Sequence, residues 1–466
     1  MPLEPKSIQL AKVAPPLPET NLVPITLTDE TMEVRFERVL KTMKAEGYST
    51  LVIYEDLEHG SNFEYLTGFL TRFEEALLII HDDGTVYYVL GNENLKLEKH
   101  ARLKGKVIHA PQFSLPNQPR FEDKPLTEIL DQTLFKVDGQ IGLVGWKLFT
   151  GTHAESKKNF DLPHYIVETI TKQIGSDKVF NATDLFIGDQ GVRTTNTANE
   201  IAHYEFGAAL ASASILKTLD AVEIGKTEME LGQILNASGQ PNSVVTIAAT
   251  GKRFEKARLY PGHKKIALGD PVSLTVGYKG GLQSRSAFAV HDATELPKGQ
   301  EQYLEKVVYP YFKAISTWLE NVHIGMEGKE VYKLIETVLP KKQYGWHLNP
   351  GHYVADEEWM ASPIYKDSTV TLKSGMLFQV DIIPSIEGFS GTSAEGGIVL
   401  ADEMLKEQIK SNYPEIWDRM IKRRTFIMDQ LGIDLHEDIL PLGNALPYLR
   451  PFLLDKEKAV TISKKV

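Results

Sequence analysis

The chain has 466 residues, of which 42% are hydrophobic and 24% charged, a composition that excludes a disordered chain and predicts about two or three domains with cores of their own. It has no cysteine, which excludes zinc fingers, iron–sulfur clusters and thiol nucleophiles, so an active centre would use carboxylates, imidazoles, hydroxyls, amines or backbone groups. With 51 Lys and Arg against 62 Asp and Glu, the net charge of −11 disfavours a nucleic acid as partner.

The N-terminal segment, residues 1–28, is rich in proline and lacks hydrophobic periodicity, which predicts an extended arm. It has no apolar core of the kind that a signal peptide needs. No apolar run in the chain approaches the roughly 20 residues that cross a bilayer. We therefore expect a cytoplasmic protein that does not enter a membrane.

An alternation of strands and helices follows the arm. Apolar residues at helical spacing predict an amphipathic helix over residues 33–46, with Gly47 as its C-terminal cap. The Asp83-Gly84 turn between two apolar runs predicts a hairpin. The predicted strands are 51–53, 76–80, 86–90 and 140–144. Residues 29–195 are therefore predicted to form an α/β domain.

A capping box, Thr197-Ala-Asn-Glu200, opens a predicted long helix that begins the next domain. Within that domain Val222-Glu-Ile-Gly225 returns as Val322-His-Ile-Gly325, 100 residues later. Each copy follows a long helix, continues into a second helix and precedes a group of strands. Residues 196–402 are therefore predicted to form two α+β halves, related by a pseudo-twofold axis with a cleft between them. Residues 403–466 are predicted to be a helical C-terminal extension.

Several motifs together resemble the creatinase, prolidase and aminopeptidase P superfamily, over roughly residues 30–402. They are Asn62-Phe-Glu-Tyr65-Leu-Thr-Gly68-Phe69 in the first domain and, in the second, the paired Ile-Gly motifs, Leu268-Gly-Asp270, Gly351-His352, Lys373-Ser-Gly375-Met376 and Glu395. The resemblance implies an α+β chain in which a creatinase-like N-terminal domain precedes a pita-bread domain. It also implies a homodimer.

The resemblance implies a metal site as well, and the sequence departs from it. In the metallopeptidases of the superfamily two Asp, one His and two Glu hold a pair of divalent cations. Here Thr275 stands where the first Asp is expected, and the stretch 280–286 contains no acid for the second. His352 and Glu395 match two other ligands, and Asp381 lies close to the position of the third. We therefore expect neither a dinuclear metal centre nor another cofactor.

His352 is the candidate general acid or base, because an imidazole gives and takes protons near neutral pH. Glu395 and Asp381 are candidate catalytic carboxylates, although all three residues could equally be structural hydrogen-bonding groups. Candidate substrate-binding residues are Arg258, Arg285, His347, Tyr278 and Trp359. Arg285 could instead form a structural ion pair with Glu395, and Trp359 could simply pack inward from the turn that begins at Asp356.

Three functions fit these residues. The first is a metal-independent hydrolase that cleaves a carbon–nitrogen bond in a small amidine, amide or peptide-like substrate, as the resemblance to creatinase implies. The second is a catalytically silent module that binds a peptide or protein in the cleft. The third is an Xaa-Pro aminopeptidase with a reduced metal site at His352, Glu395 and Asp381. The expected partners are a small molecule or short peptide and a second copy of the chain.

Overall fold

The structure is a computed structural model that describes residues 7–71, 73–120, 123–133, 135–136, 139–151 and 155–463. The chain forms two compact units: one comprises residues 27–194, and the other comprises the residues up to 26 and from 195 onward. Strand β1 (Ser7–Lys12) belongs to the second of these units. No helix in the described stretches is long and apolar enough to cross a membrane.

The unit of residues 27–194 is built on one mixed sheet with helices packed beside it. Its elements are α1 (Asp29–Ala45), β2 (Tyr48–Glu55), α2 (Ser61–Thr67), β3 (Ala76–His81), β4 (Val86–Leu90), β5 (Lys106–His109), α3 (Leu126–Asp131), β6 (Gln140–Val144), α4 (His164–Ile174), β7 (Val179–Asn181) and α5 (Asp184–Ile187). The six strands are ordered β5-β4-β3-β2-β6-β7, with β2 parallel to β6 and antiparallel to β3. Apolar side chains of the sheet and of α3 and α4 form its core.

The elements predicted for this unit are confirmed, with differences in length at α1, β2 and β3. Strand β2 spans Tyr48–Glu55 rather than 51–53, and β3 ends at His81 rather than at residue 80. Helix α1 begins at Asp29 rather than at residue 33, because the Thr28 side chain caps it by accepting a hydrogen bond from the Thr31 amide. The hairpin of β3 and β4 turns at Gly84, whose φ of +86° favours glycine. Strand β6 has the predicted bounds.

The second unit carries two antiparallel four-stranded sheets. Its elements after β1 are α6 (Ala198–Ala221), α7 (Glu228–Leu235), β8 (Ile247–Thr250), α8 (Gly251–Glu255), β9 (Pro271–Tyr278), β10 (Gly281–Phe288), α9 (Tyr309–Asn321), α10 (Gly328–Val338), α11 (Lys341–Tyr344), β11 (His352–Tyr353), β12 (Leu377–Val380), β13 (Ser393–Ala394), β14 (Gly396–Leu400), α12 (Glu403–Asn412), α13 (Pro414–Asp429), β15 (Ile439–Pro441) and β16 (Lys458–Ser463). One sheet is ordered β13-β10-β9-β8 and the other β11-β12-β14-β15.

The sequence repeat corresponds to a structural repeat in this unit. Gly225 and Gly325 follow the long helices α6 and α9 with φ values of +92° and +96°. Their amides donate to Ile266 O and Leu372 O, both at 2.9 Å. Capping boxes then open α7 and α10. We call the part from α6 to β10 the first half and the part from α9 to β14 the second half.

The two chain ends complete this unit instead of standing apart from it. Strand β1, within the predicted arm, pairs antiparallel with β16, and β15 joins the sheet of the second half beside β14. Farther along the arm, Glu19 forms an ion pair with the buried Arg423 of α13. The C-terminal region predicted to be helical therefore contains α12 and α13 and also two strands. Residues 1–6 of the predicted arm and 464–466 of the predicted extension lie outside the described residues.

The prediction of an α+β chain is confirmed, because both units combine helices with sheets.

Candidate functional site

A row of polar side chains crosses the strands where the sheets of the two halves meet. Arg285 pairs with Ala394 in the ladder between β10 and β13, so the next position along β13 brings Glu395 opposite Ser284. Ser284 is in turn paired with Thr275 of β9. Glu395 itself comes directly after β13, and Arg285 Nη1 donates to both Ser284 O and Glu395 O. From the second half, Asp381 follows β12 and interacts with Glu395, and His352 of β11 lies beside Asp381. The polar row is Thr275, Ser284, Glu395, Asp381 and His352.

His352 is completely buried and has an unused ring nitrogen. Its Nδ1 lies 3.1 Å from Tyr353 O, which fits an N–H donor at that atom. Its Nε2 has no hydrogen-bond partner and lies 3.4 Å from Glu358 Oε1 and 3.8 Å from Asp381 Oδ2. Burial disfavours the imidazolium, but the nearby carboxylates outweigh it, so the pKa of His352 is raised. The geometry therefore favours an imidazolium whose Nε2 faces the carboxyl groups of Glu358 and Asp381.

Asp381 and Glu395 form a buried pair of carboxyl groups. They are 4% and 5% exposed, and Asp381 Oδ1 has no hydrogen-bond partner. Burial first, and then the neighbouring Asp381 charge, raise the pKa of Glu395 well above its ordinary value. Two carboxyl groups in contact in a low-dielectric site share one proton. The pKa of Asp381 is raised as well, first by burial, and of the two groups Glu395 has the pKa that is raised further.

Arg285 is buried next to this pair and donates its hydrogen bonds to protein acceptors. Its Nε donates to Tyr448 O, and its two terminal nitrogens donate to the carbonyl oxygens of Ser284, Glu395 and Ala445 and to Gln283 Oε1. All five guanidinium N–H groups therefore have protein acceptors. Burial lowers the pKa of Arg285 to about 10, which leaves it charged at neutral pH. The hydrogen bond to Glu395 is made to the backbone carbonyl and not to the carboxylate, and a substrate role for Arg285 remains a prediction.

The first half contributes hydroxyls to the polar row. Thr275 Oγ1 donates to Ser284 Oγ at 3.0 Å, and the neighbouring pair Ser286 and Ser273 is joined at 3.3 Å. Ser284 and Ser286 lie on a central strand but remain partly exposed, which indicates an opening above this face of the sheet. These neutral groups can hydrogen-bond a ligand but cannot balance the charge of a cation.

One member of the site was missed by the sequence analysis. Glu358 brings a third carboxylate to His352, and its side chain is 22% exposed. Its neighbour Trp359, which was predicted to be at the site, stacks on the imidazole with ring centroids 4.0 Å apart and planes 20° apart. The signal available in the sequence was the run of acids beside a tryptophan shortly after Gly351-His352.

Three other predicted residues have no contact with His352, Asp381 or Glu395 among the described residues. Arg258 is exposed just after α8, and its amide donates to Arg253 O. His347 is exposed in the segment that precedes β11. Tyr278 is buried and donates from its hydroxyl to Leu235 O at 2.8 Å, so it joins β9 to the end of α7. A substrate role for these three remains a prediction.

The part of the chain that the structure describes contains no group of three or more His, Asp or Glu side chains placed to hold a metal ion. Carboxylates that would ligate a cation are instead engaged with an imidazole and with each other.

Comparisons with known proteins agree with this architecture. The model of metallopeptidase family M24 matches residues 202–407, and the model of the creatinase/prolidase N-terminal domain matches residues 35–178. No curated protein matches the chain. Solved structures with a similar fold include an Xaa-Pro dipeptidase from Bacillus anthracis (16% identity, covering 79% of this chain and 94% of that chain, TM-score 0.60), a prolidase from Thermococcus sibiricus (18%, 81% and 96%, 0.61) and an X-Pro aminopeptidase from Thermotoga maritima (17%, 79% and 95%, 0.60).

At these identities the similarity to solved structures shows the fold alone. The two family models match different parts of the chain, with the creatinase/prolidase N-terminal domain first and the M24 domain second, as the sequence predicted. The M24 match extends over both halves of the structural repeat. The chain therefore belongs to the creatinase, prolidase and aminopeptidase P superfamily, with a peptidase-like hydrolase domain of family M24 as its second domain.

Proposed function

We propose that this protein is a hydrolase that cleaves a carbon–nitrogen bond in a small amidine, amide or peptide-like substrate, with His352 as the acid–base group and without a dinuclear metal centre. One observation carries the proposal. Two buried polar atoms in the same cluster, His352 Nε2 and Asp381 Oδ1, lack a hydrogen-bond partner in the protein. Buried polar atoms without partners are costly and rare in folded proteins, and catalytic sites are one place where they occur.

The cluster has the groups that such a hydrolysis needs. The imidazolium of His352 can give a proton from Nε2 to the leaving nitrogen as the carbon–nitrogen bond breaks. Water adds its hydroxyl to the carbon and passes its remaining proton to the carboxylate of Asp381. Asp381 Oδ1 can accept a hydrogen bond from the attacking water or from a substrate N–H. Glu395, whose pKa is raised further than that of Asp381, keeps its proton and holds Asp381 in place. Glu358 stabilises the positive imidazole until the proton leaves.

The donor set does not fit the dinuclear centre of the metallopeptidases. Thr275 and Ser284 are neutral and already bonded to each other, and Arg285 places a buried cation behind Glu395. A pair of divalent cations needs several anionic oxygens to offset its charge. Near Glu395 a metal would face a guanidinium and a shared proton instead. We therefore derive no step of the reaction through a metal ion.

The proposal is tested by assaying a panel of amides, guanidino compounds and Xaa-Pro dipeptides with chelator-treated protein. His352→Ala should lower turnover by about 10²–10⁴-fold, the usual contribution of an acid–base residue. His164→Ala is the matched control, because that imidazole is 88% exposed in the other unit. Full turnover by His352→Ala would defeat the proposal.

The same assay separates the other two functions. Activity that appears only with added manganese or cobalt would favour an Xaa-Pro aminopeptidase with a reduced metal site. Absence of turnover on the whole panel, together with peptide binding that His352→Ala weakens, would favour a silent binding module.

A further inference from the structure

The loop that carries Glu358 and Trp359 is attached to the opposite half of the domain. We propose that Tyr204 and Asp356 are positioning residues: their hydrogen bond joins the loop of residues 354–359 to the first half and so holds Trp359 and Glu358 against His352. This inference concerns the site of the proposed function, but it predicts a structural property that can be measured whether or not the protein turns over a substrate.

The loop is closed at its base by backbone hydrogen bonds. The amide of Tyr353 donates to Ala361 O at 2.7 Å, and the amide of Met360 donates to Tyr353 O at 3.2 Å. At the tip, the amide of Ala355 donates to Glu357 O at 3.1 Å, which makes a tight turn. The loop therefore leaves from His352 and returns beside it, so a movement of its outer part is transmitted to the returning residues.

The outer part of the loop contacts two elements of the first half. The hydroxyl of Tyr204, on α6, donates to Asp356 Oδ2 at 2.9 Å. Lys279, in the turn between β9 and β10, places Nζ 3.8 Å from Asp356 Oδ1. The amide of the next residue, Gly280, donates to Ala355 O at 2.7 Å. Asp356 is thus held by a hydroxyl and a cation on two separate elements.

Helix α6 and the turn between β9 and β10, which the loop contacts, are closely packed against each other, so neither can move far. A Cβ on Gly207 of α6 would lie 1.8 Å from Lys279 O. A Cβ on Gly280, where φ is +98°, would lie 2.0 Å from Tyr204 O. Glycine at both positions lets the turn between β9 and β10 lie directly on α6. Tyr204, at 2% exposed, therefore has little freedom to follow a displaced loop.

The consequence falls on His352. Trp359 covers one face of its imidazole, and Glu358 lies 3.4 Å from its Nε2. Both residues come within three positions of Asp356, so the link to Tyr204 sets how closely they approach the ring. The first half, which brings only hydroxyls to the polar row, thereby acts on the imidazole of the second half.

The experiment uses full-length protein labelled with 5-fluorotryptophan. The chain has five tryptophans, so the fluorine spectrum is simple, and Trp359→Phe identifies the resonance of Trp359. Tyr204→Phe should shift that resonance and increase its response to solvent deuterium or acrylamide. Asp356→Ala should have the same effect, and Asp356→Asn should largely restore the wild-type resonance, because an amide oxygen can still accept the tyrosine hydrogen bond.

Tyr88→Phe is the matched control. That tyrosine is also buried and donates to a backbone carbonyl, Leu103 O, at 2.7 Å, but it lies in the other unit. It should leave the Trp359 resonance unchanged. A wild-type resonance and solvent response in Tyr204→Phe would overturn the inference. If Tyr204→Phe does not fold, identical Trp359 resonances in Asp356→Ala and Asp356→Asn would overturn it.

Discussion

Glu228 in the first half and Asp381 in the second are both buried carboxylates, but their surroundings differ. Glu228 accepts four hydrogen bonds, from the amides of Thr250 and Gly262, the Thr250 hydroxyl and Arg253 Nε. Asp381 has an oxygen without a partner and contacts another acid. The comparison distinguishes two kinds of buried carboxylate: that of Glu228 holds a loop in place, whereas that of Asp381 keeps one oxygen without a hydrogen-bond partner.

The backbones of the two halves are far more alike than their side chains. The glycine turn and the capping box occur in both halves. In each half the first residue of the helix also donates its amide hydrogen to a carbonyl in the chain that follows, Glu228 to Lys264 O and Gly328 to Val370 O. At the position of Glu228 the second half has Gly328, where a Cβ would lie 1.8 Å from Pro363 O. A repeat can therefore preserve its frame while the residues that fill it diverge, because backbone hydrogen bonds depend little on side-chain identity.

The largest expected effect is on the satisfied carboxylate. Glu228→Ala should lower the free energy of unfolding by about 3–5 kcal/mol, because it leaves Arg253 and two buried amides without their acceptor. Urea unfolding at neutral pH measures this. Glu255→Ala, exposed at the end of α8, should change the value by less than about 0.5 kcal/mol. Equal effects of the two substitutions would contradict the assignment of Glu228 to the frame.

The carboxyl pair of Asp381 and Glu395 should make the free energy of unfolding fall as the pH rises, whereas a carboxylate with a lowered pKa makes it rise. Because the pKa of Glu395 is raised from 4.5, the folded protein keeps a proton that the unfolded chain releases. The free energy of unfolding should therefore fall as the pH rises from about 4.5 to the pKa of the folded protein, by about 1.4 kcal/mol per pH unit for this group. Glu395→Gln should remove this contribution.

Urea unfolding of chelator-treated wild type and Glu395→Gln at several pH values tests this. The pKa of His352 is also raised, so it too loses stabilisation as the pH rises through the pKa of the folded state, in both proteins. The difference between the two curves therefore reports the titration of the Glu395 and Asp381 pair, whose pKa values are both raised. Parallel curves would mean that Glu395 titrates normally.

The two glycine turns offer a direct test of the repeat. Gly225→Ala and Gly325→Ala should each cost about 1–2 kcal/mol of stability, because an L-residue is strained at these positive φ values while no atom lies within 4 Å of the new Cβ. Gly391→Ala, which is equally unobstructed but has no positive φ, is the control. Thermal or urea unfolding measures both losses. Clearly different losses of stability in Gly225→Ala and Gly325→Ala would show that the two turns are not equivalent.

The smallest expected effect concerns the hydroxyls of the first half. Thr275→Val should cost about 0.5–1.5 kcal/mol, the usual net contribution of one hydrogen bond, because it removes the bond to Ser284. A double-mutant cycle with Ser284→Ala measures the coupling between the two side chains. A coupling of zero would show that the hydroxyls do not act as a pair.

Much of the fold could be predicted from the sequence because its signals are local. The hairpin at Gly84, the capping box at Thr197 and the repeated Gly225 and Gly325 each record a backbone requirement in a few neighbouring residues. Pairings between the ends of the chain leave no such record. Strands β1 and β16 pair although they lie near opposite ends of the sequence. Neither segment has a sequence pattern that indicates which strand it pairs with.

The site was predictable in part. His352, Asp381 and Glu395 are brought together as the resemblance to the superfamily implied, although their catalytic roles remain proposals. Arg285 illustrates the limit: its charge suggested a ligand contact, but whether its N–H groups are free depends on carbonyls more than 100 residues away. Glu358 was missed because its proximity to His352 depends on the loop turning back.

The sequence by itself determined the order of the domains and the repeat, since residue type and local spacing are enough for these. Only the tertiary structure decided which buried charges are satisfied. Hydrogen-bond satisfaction depends on the approach of distant backbone and side-chain groups, as the contrast between Glu228 and Asp381 shows. It also decided that Tyr204 of the first half contacts Asp356 of the second, which a linear pattern cannot express.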